Sequence, residues 1–107
     1  MTWKVEFLDA DVKAALDALP KDIRARFERI VALIQSDGFA RLREPYVKHL
    51  EGPVWEMRMT GADGIARAAY VTASGRRIVV LHVFRKKTQK TPRREIDTAL
   101  RRAREVR

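Results

Sequence analysis

The stretch "RIVVLHVFRKKTQKTPRREIDTALRRA" runs from Arg77 to Ala103. Its first eight residues are apolar almost throughout, which suits an interior strand buried on both faces rather than an alternating, half-exposed one. Its last part reads as a helix: Thr91 caps it, Pro92 opens it, and Ile96, Ala99, Leu100 and Ala103, with Val106 beyond, fall on one side. The joint between strand and helix is basic, with Arg85, Lys86, Lys87, Lys90, Arg93 and Arg94 all preceding the first carboxylate, Glu95. A central strand that feeds a helix through such a joint sets the frame for the rest of the chain.

Upstream, "TWKVEFL" (2–8) alternates Trp3, Val5 and Phe7 with Lys4 and Glu6, the period of a half-buried strand. Asp9 or Asp11 can cap a helix with Val12, Ala15, Leu16 and Leu19 on its apolar face. Pro20 breaks that helix and enters the first turn of a second, in which Ile23, Phe27, Ile30, Val31 and Ile34 make a long stripe that Gly38 ends. Two helices joined so closely predict a hairpin packed on one side of a sheet. Residues 38–53, punctuated by Gly38, Pro45, Gly52 and Pro53, read as a loop. "VWEMRM" (54–59) then puts Trp55, Met57 and Met59 on one face and Glu56 and Arg58 on the other. A turn at Gly61 and Gly64 leads to "IARAAYV" (65–71), and Ser74-Gly75 turns into the central strand. The expectation is one α+β domain over residues 1–107 in the order β-α-α-β-β-β-α, with a mainly antiparallel sheet and a C-terminal helix.

Of the net charge of +9, residues 85–107 carry +7, from ten Lys or Arg against three acids. A field so polarised suits a partner rich in phosphate. No apolar run approaches a membrane span, no signal-peptide pattern opens the chain, and there is no cysteine, so a cytoplasmic protein without disulfides is expected. Without cysteine no thiolate metal site can be built, His49 and His82 are the only histidines and form no paired-histidine motif, and neither a metal nor a cofactor is expected. His82, inside the apolar strand, reads as a satisfied core histidine, and His49 as a loop residue that either donates a proton or is solvated.

Glu56 and Arg58 share a strand face, Arg67 falls on the neighbouring strand, and the 85–90 loop begins where the last strand ends. Several cations and one carboxylate on a common face can cleave RNA. Arg and Lys neutralise charge developing on the phosphorane oxygens, while the carboxylate takes the 2′-hydroxyl proton. The same spacing also fits a surface ion pair between Glu56 and Arg58.

The segments "KHLEGPVWEMR" (48–58), "RAAY" (67–70) and "VVLHVFRKKTQKTPRREIDTALRRA" (79–103) resemble the phage-derived, HigB-like branch of the RelE/ParE toxin superfamily. The pattern F-x-K-K-T-Q-K-T-P-x-x-E-I-x-x-A, Phe84 to Ala99, is the most specific part, L-x-G-x-x-W-E-x-R from Leu50 to Arg58 agrees independently, and the element order agrees along the whole chain. The resemblance implies the toxin of a type II toxin–antitoxin pair: a ribosome-dependent, metal-independent mRNA endoribonuclease. In that reaction a ribose 2′-oxygen attacks and leaves a 2′,3′-cyclic phosphate. The partners implied are an antitoxin (a small helix-turn-helix protein), the ribosome and mRNA, with no membrane. Carried onto this sequence, the catalytic candidates are Arg58, Arg67, Glu56 and Lys87, and the RNA-binding candidates are Lys48, Arg85, Lys86, Lys90, Arg93 and Arg94. Two departures stand out. RelE has a lysine where Glu56 stands, so Glu56 or the loop residue Glu44 takes the role of base and Lys87 or His49 that of donor. RelE also has a tyrosine near its last helix, and residues 84–107 contain none. Two other readings compatible with the fold are a ParE-like gyrase poison and a non-catalytic basic module that binds RNA or the ribosome.

Overall fold

The computed structural model describes residues 2–39, 46–62, 64–87 and 90–107. Eight elements follow one another: β1 (Lys4–Phe7), α1 (Ala10–Asp17), α2 (Lys21–Asp37), β2 (Val47–Glu51), β3 (Val54–Gly61), β4 (Gly64–Ala73), β5 (Arg77–Lys86) and α3 (Arg93–Ala103). They form the expected α+β fold with one strand more than the sequence reading. Residues 47–51, read as loop, are β2, which pairs antiparallel with β3 through Val47 opposite Met57 and His49 opposite Trp55. The glycines and prolines that made this segment look irregular flank the strand instead of interrupting it. A five-residue strand with one buried position, Val47, leaves little periodic signal.

The sheet order is β1-β5-β4-β3-β2, with β1 parallel to β5 and all other pairs antiparallel. Strand β5 therefore lies inside the sheet, as its unbroken apolar run requires. The α1–α2 hairpin covers one face, where Val12, Leu16, Ile23, Phe27, Ile30 and Ile34 pack on Met57, Met59, Tyr70 and Val80. Helix α3 covers part of the other face through Ala99, against Val54, Ala69, Val71, Val79 and Leu81. Trp55, grouped with Met57 and Met59 by spacing, stands at the edge of the hairpin-side layer beside Tyr70 and is 41% exposed.

Local chemistry sets the element ends. Of the two candidate caps for α1, Asp9 holds the position and accepts from the Val12 N–H at 2.9 Å, while Asp11 lies in the first turn. Gly38 closes α2 at φ +67°, a backbone conformation that glycine adopts without strain. The start of α2 is clamped to the β3–β4 turn: Asp22 accepts from Ala62 N at 2.7 Å and from Ile23 N at 2.9 Å. A Cβ on Gly61 would lie 2.6 Å from both Asp22 Oδ2 and Ile23 Cγ1, so this approach requires glycine.

One irregularity matters for function. Ala69 is opposite His82 but Tyr70 is opposite Val80, so Leu81 is the extra residue of a β-bulge in β5. Leu81 and His82 consequently both face α3: Leu81 packs on the Ala99 side, and His82 bonds to Glu95 of the helix. Beyond the bulge, Phe84 and Lys86 lie opposite Arg67 and Ile65 and share their face.

Candidate active site

Glu56 is the centre of a compact charged cluster beside the N-terminus of α3. It is 1% exposed and Arg67 2%, so the reading of Glu56 and Arg58 as a surface pair is corrected: the carboxylate is buried. Arg58 and Arg67 are cross-strand partners on β3 and β4, which sets both guanidinium groups on the face that carries Glu56. The Arg67 Nε lies 3.4 Å from Glu56 Oε2, and the Arg58 Nε 3.9 Å from the same oxygen. Oε1 is taken by the Thr91 hydroxyl, which donates to it at 2.8 Å. Thr91 was expected to cap α3; its side chain turns into the sheet instead, and Pro92 holds the cap position without a side-chain bond.

Lys86 completes the cluster by donating to Thr91 Oγ1 at 3.4 Å. Its burial, reinforced by the positive charges of Arg67, Arg58 and Lys48 and opposed by Glu56, holds its pKa below the ordinary lysine value. Burial likewise lowers the pKa of Arg67, against the pull of Glu56. Three cations thus surround one carboxylate, leaving positive charge in excess where little solvent reaches.

A cleft of about 400 Å³ opens onto Glu56, Arg58 and Thr91, with Lys48, His49 and Lys90 among its walls. His49 lies on β2 rather than in a loop; its Nε2–H donates to the Gly52 carbonyl at 2.8 Å and its ring sits 5.1 Å from that of Trp55. A second cleft of about 460 Å³ reaches the cluster from the α2 side. It is lined by Arg26, Arg29, Ile30, Tyr46, Arg58, Thr60 and Arg67. Arg26 and Arg29 lie on the polar face of α2, where nothing in the sequence separates them from ordinary solvated charges, and the sequence reading missed them.

The other predicted residues divide. Lys87, expected in the catalytic group, is exposed just past the end of β5, and Lys86 stands in the cluster instead. Arg85 is opposite Ala66, on the hairpin side of the sheet, where it crosses Gly64. Arg93 is engaged within the protein, making a two-pronged contact with Glu51 at 2.7 and 2.9 Å and a further bond to Asp97. That contact holds the Glu51 pKa below the carboxylate norm. Arg94 is exposed on α3, and Glu44 lies outside the described residues. His82 is satisfied as read: Arg102 can only donate, so Nδ1 accepts from it at 3.3 Å and the proton on Nε2 goes to Glu95 at 3.0 Å. Among the described residues, no group of three potential metal ligands (His, Cys, Asp or Glu) comes together, and no helix is long and apolar enough to cross a membrane.

A family model described as phage-derived protein Gp49-like matches residues 14–104. No match to a curated protein was found. Among solved structures, a chain of the archaeal RelE–RelB complex from Pyrococcus horikoshii OT3 is similar at 26% identity and a TM-score of 0.56, covering 79% of this chain and 96% of its own. A mutant of the E. coli toxin RelE in the free state is similar at a TM-score of 0.66 and 13% identity, covering 95% of this chain and 98% of its own, a likeness of fold alone.

Proposed function

The chain belongs to the phage-derived Gp49-like family within the RelE/ParE toxin superfamily, and we propose that it is the toxin of a toxin–antitoxin pair that cleaves mRNA on the ribosome. The observation that carries this reading is the buried Glu56 carboxylate ringed by Arg67, Arg58 and the Thr91–Lys86 pair, at the foot of an open basic cleft. Such a site attracts a phosphodiester and is built to hold more negative charge than the free substrate carries.

The reaction is a transesterification. The ribose 2′-oxygen bonds to the adjacent phosphorus, the bond from phosphorus to the 5′-oxygen breaks, and the products are a 2′,3′-cyclic phosphate and a 5′-hydroxyl. Arg58 and Arg67 neutralise the charge that builds on the phosphorane oxygens, so no metal is needed for that purpose. Glu56, which lines the cleft, receives the 2′-hydroxyl proton. Lys86, which shares the Thr91 hydroxyl with Glu56, protonates the departing 5′-oxygen: with its pKa lowered by burial and by Arg67, it yields a proton more readily than an ordinary lysine. Lys48 and Lys90, on the cleft walls, hold the flanking backbone as point charges. The antitoxin partner is carried over from the RelE–RelB complex among the similar structures.

Mapping of RNA 5′ ends after brief induction tests the proposal. New 5′-hydroxyl ends at fixed positions within codons, lost in Arg58→Ala, are the expected result. Replication arrest with intact mRNA would mark a gyrase poison. Ribosome binding with neither effect would mark a non-catalytic module.

A further inference from the structure

We infer that the cleft between α2 and the outer edge of β3 is a second nucleotide subsite, in which Tyr46 carries a base and Arg26 with Arg29 takes the phosphate next to the scissile one. The inference rests on the nuclease reading for its substrate class.

Strand β2 begins at Val47, opposite Met57, and among the described residues only the Arg58 N–H to Tyr46 carbonyl bond, at 2.8 Å, extends the pairing with β3 before it. Over that edge α2 brings Arg26 and Arg29 towards Arg58 and Arg67. Four guanidinium groups and no carboxylate therefore line one cleft among the described residues, with Ile30 as an apolar patch and Thr60 as a hydroxyl. On α2, Asp22 interacts with Arg26, but its oxygens are held by the Ala62 and Ile23 N–H groups. Glu56, on which Arg58 and Arg67 converge, offsets only part of this charge, so the cleft keeps an excess of positive charge, and the planar guanidinium fork matches phosphate.

Arg58 and Arg67 line this cleft and also flank Glu56, so a strand whose scissile phosphate lies at Glu56 continues into it without leaving positive charge. Tyr46 supplies the remaining component. It is 42% exposed at the cleft wall, and a large aromatic left in solvent beside arginines is a stacking platform for an unpaired base.

A short single-stranded oligonucleotide with 2′-deoxyribose throughout binds without being cut, and fluorescence anisotropy on the intact protein reads its affinity. The double variant Arg26→Ala/Arg29→Ala, at exposed helical positions where alanine preserves the fold, should weaken binding about tenfold. It should also reduce the slope of log K against log salt by about 0.7, the share of one single-strand phosphate. Tyr46→Ala should cost about tenfold on this probe and nothing on an abasic probe of equal length, while Tyr46→Phe binds as wild type. The inference is overturned by undiminished binding in the double variant, by equal losses on both probes in Tyr46→Ala, or by no binding of the probe to wild type. Since this assay uses neither ribosome nor cleavage, the two ideas fail separately. A protein that binds as described but yields no codon-linked ends keeps the subsite and loses the nuclease. One that cleaves while the variants bind normally loses the subsite alone.

Discussion

Thr91 and Glu56, 35 positions apart in the chain, are joined by a buried hydrogen bond of 2.8 Å from the threonine hydroxyl to Glu56 Oε1. The same hydroxyl accepts from Lys86 at 3.4 Å. A carboxylate only accepts and an ammonium only donates, so both roles of the single hydroxyl are fixed. The bond ties the segment entering α3 to the middle of β3, and it sets Lys86 and Glu56 on either side of one oxygen.

Replacing Thr91 by valine keeps the shape and deletes the bridge. Glu56 Oε1 then loses its donor inside the fold, a loss of about 1–3 kcal/mol in urea unfolding. Thr91→Ser should recover most of it. A valine variant with the wild-type midpoint and slope would mean that solvent reaches Glu56.

The two arginines should separate stability from catalysis. Arg67 is nearly inaccessible beside Glu56, and its truncation leaves a buried carboxylate short of its nearest cation, a cost of about 3–5 kcal/mol. The Arg58 side chain is 19% exposed and more distant, so Arg58→Ala should melt close to wild type yet cleave about two decades more slowly. Melting curves together with single-turnover cleavage decide this. Equal stability losses in both variants would contradict the burial argument.

Much of this arrangement was legible in the sequence, and the exceptions have physical reasons. The two-faced burial of β5 and the stripes of α1 and α2 follow from apolar spacing. Arg58, Arg67 and Glu56 share a face because two neighbouring strands alternate in register. The resemblance carried both Lys86 and Lys87 to the end of β5, with Lys87 in the catalytic group, and it is the bulge that turns Lys86 towards the face of Glu56. Alternation counted from Leu81 leads to odd-numbered residues, but Leu81 and His82 face the same side and even-numbered residues take over. An all-apolar run carries no alternation by which such a slip would show. Thr91 has the composition of a helix cap, and only the nearness of β3 diverts its hydroxyl. Tyr46, Arg26 and Arg29 meet through the path of α2 across the sheet edge, which no local pattern encodes.

The clamp between α2 and the β3–β4 turn predicts an acid-sensitive contribution to stability. The Ala62 N–H, above all, holds the Asp22 pKa below its ordinary value. A carboxyl with a folded pKa below its unfolded one stabilises fully above the unfolded value, near 3.8, and loses that contribution as pH falls through the folded value. Asp22→Asn should therefore melt lower than wild type at neutral pH, with the two curves converging in strong acid. A constant difference down to the lowest pH would remove the charge from the explanation. Gly61→Ala, with its Cβ pressed against the same aspartate and Ile23, should cost about 1–3 kcal/mol at any pH.

Lys86 gives the sharpest test of the proton transfers. Burial first, and the charge of Arg67 next, favour its neutral amine, so it loses its proton at a lower pH than an exposed lysine. If its ammonium protonates the departing 5′-oxygen, the single-turnover rate must fall as that proton is lost. The alkaline limb of the pH–rate profile should then lie below the ordinary lysine value of 10.5. Lys86→Arg keeps the positive charge but cannot give up a proton in this range. It should remove the limb and slow cleavage at neutral pH by about two decades, the usual contribution of a positioned acid. Lys87→Ala, at an exposed site past the strand end, should leave the limb where it is. Folding responds in a related way: below the folded pKa of Lys86 the penalty for burying its charge is fully present, and it is relieved as pH rises towards the unfolded value. Stability and activity should thus move in opposite directions across that window, which distinguishes loss of a catalytic proton from alkaline unfolding. An unchanged limb in Lys86→Arg would assign the proton to another group, and a limb lost in Lys87→Ala would return it to the residue the sequence first suggested.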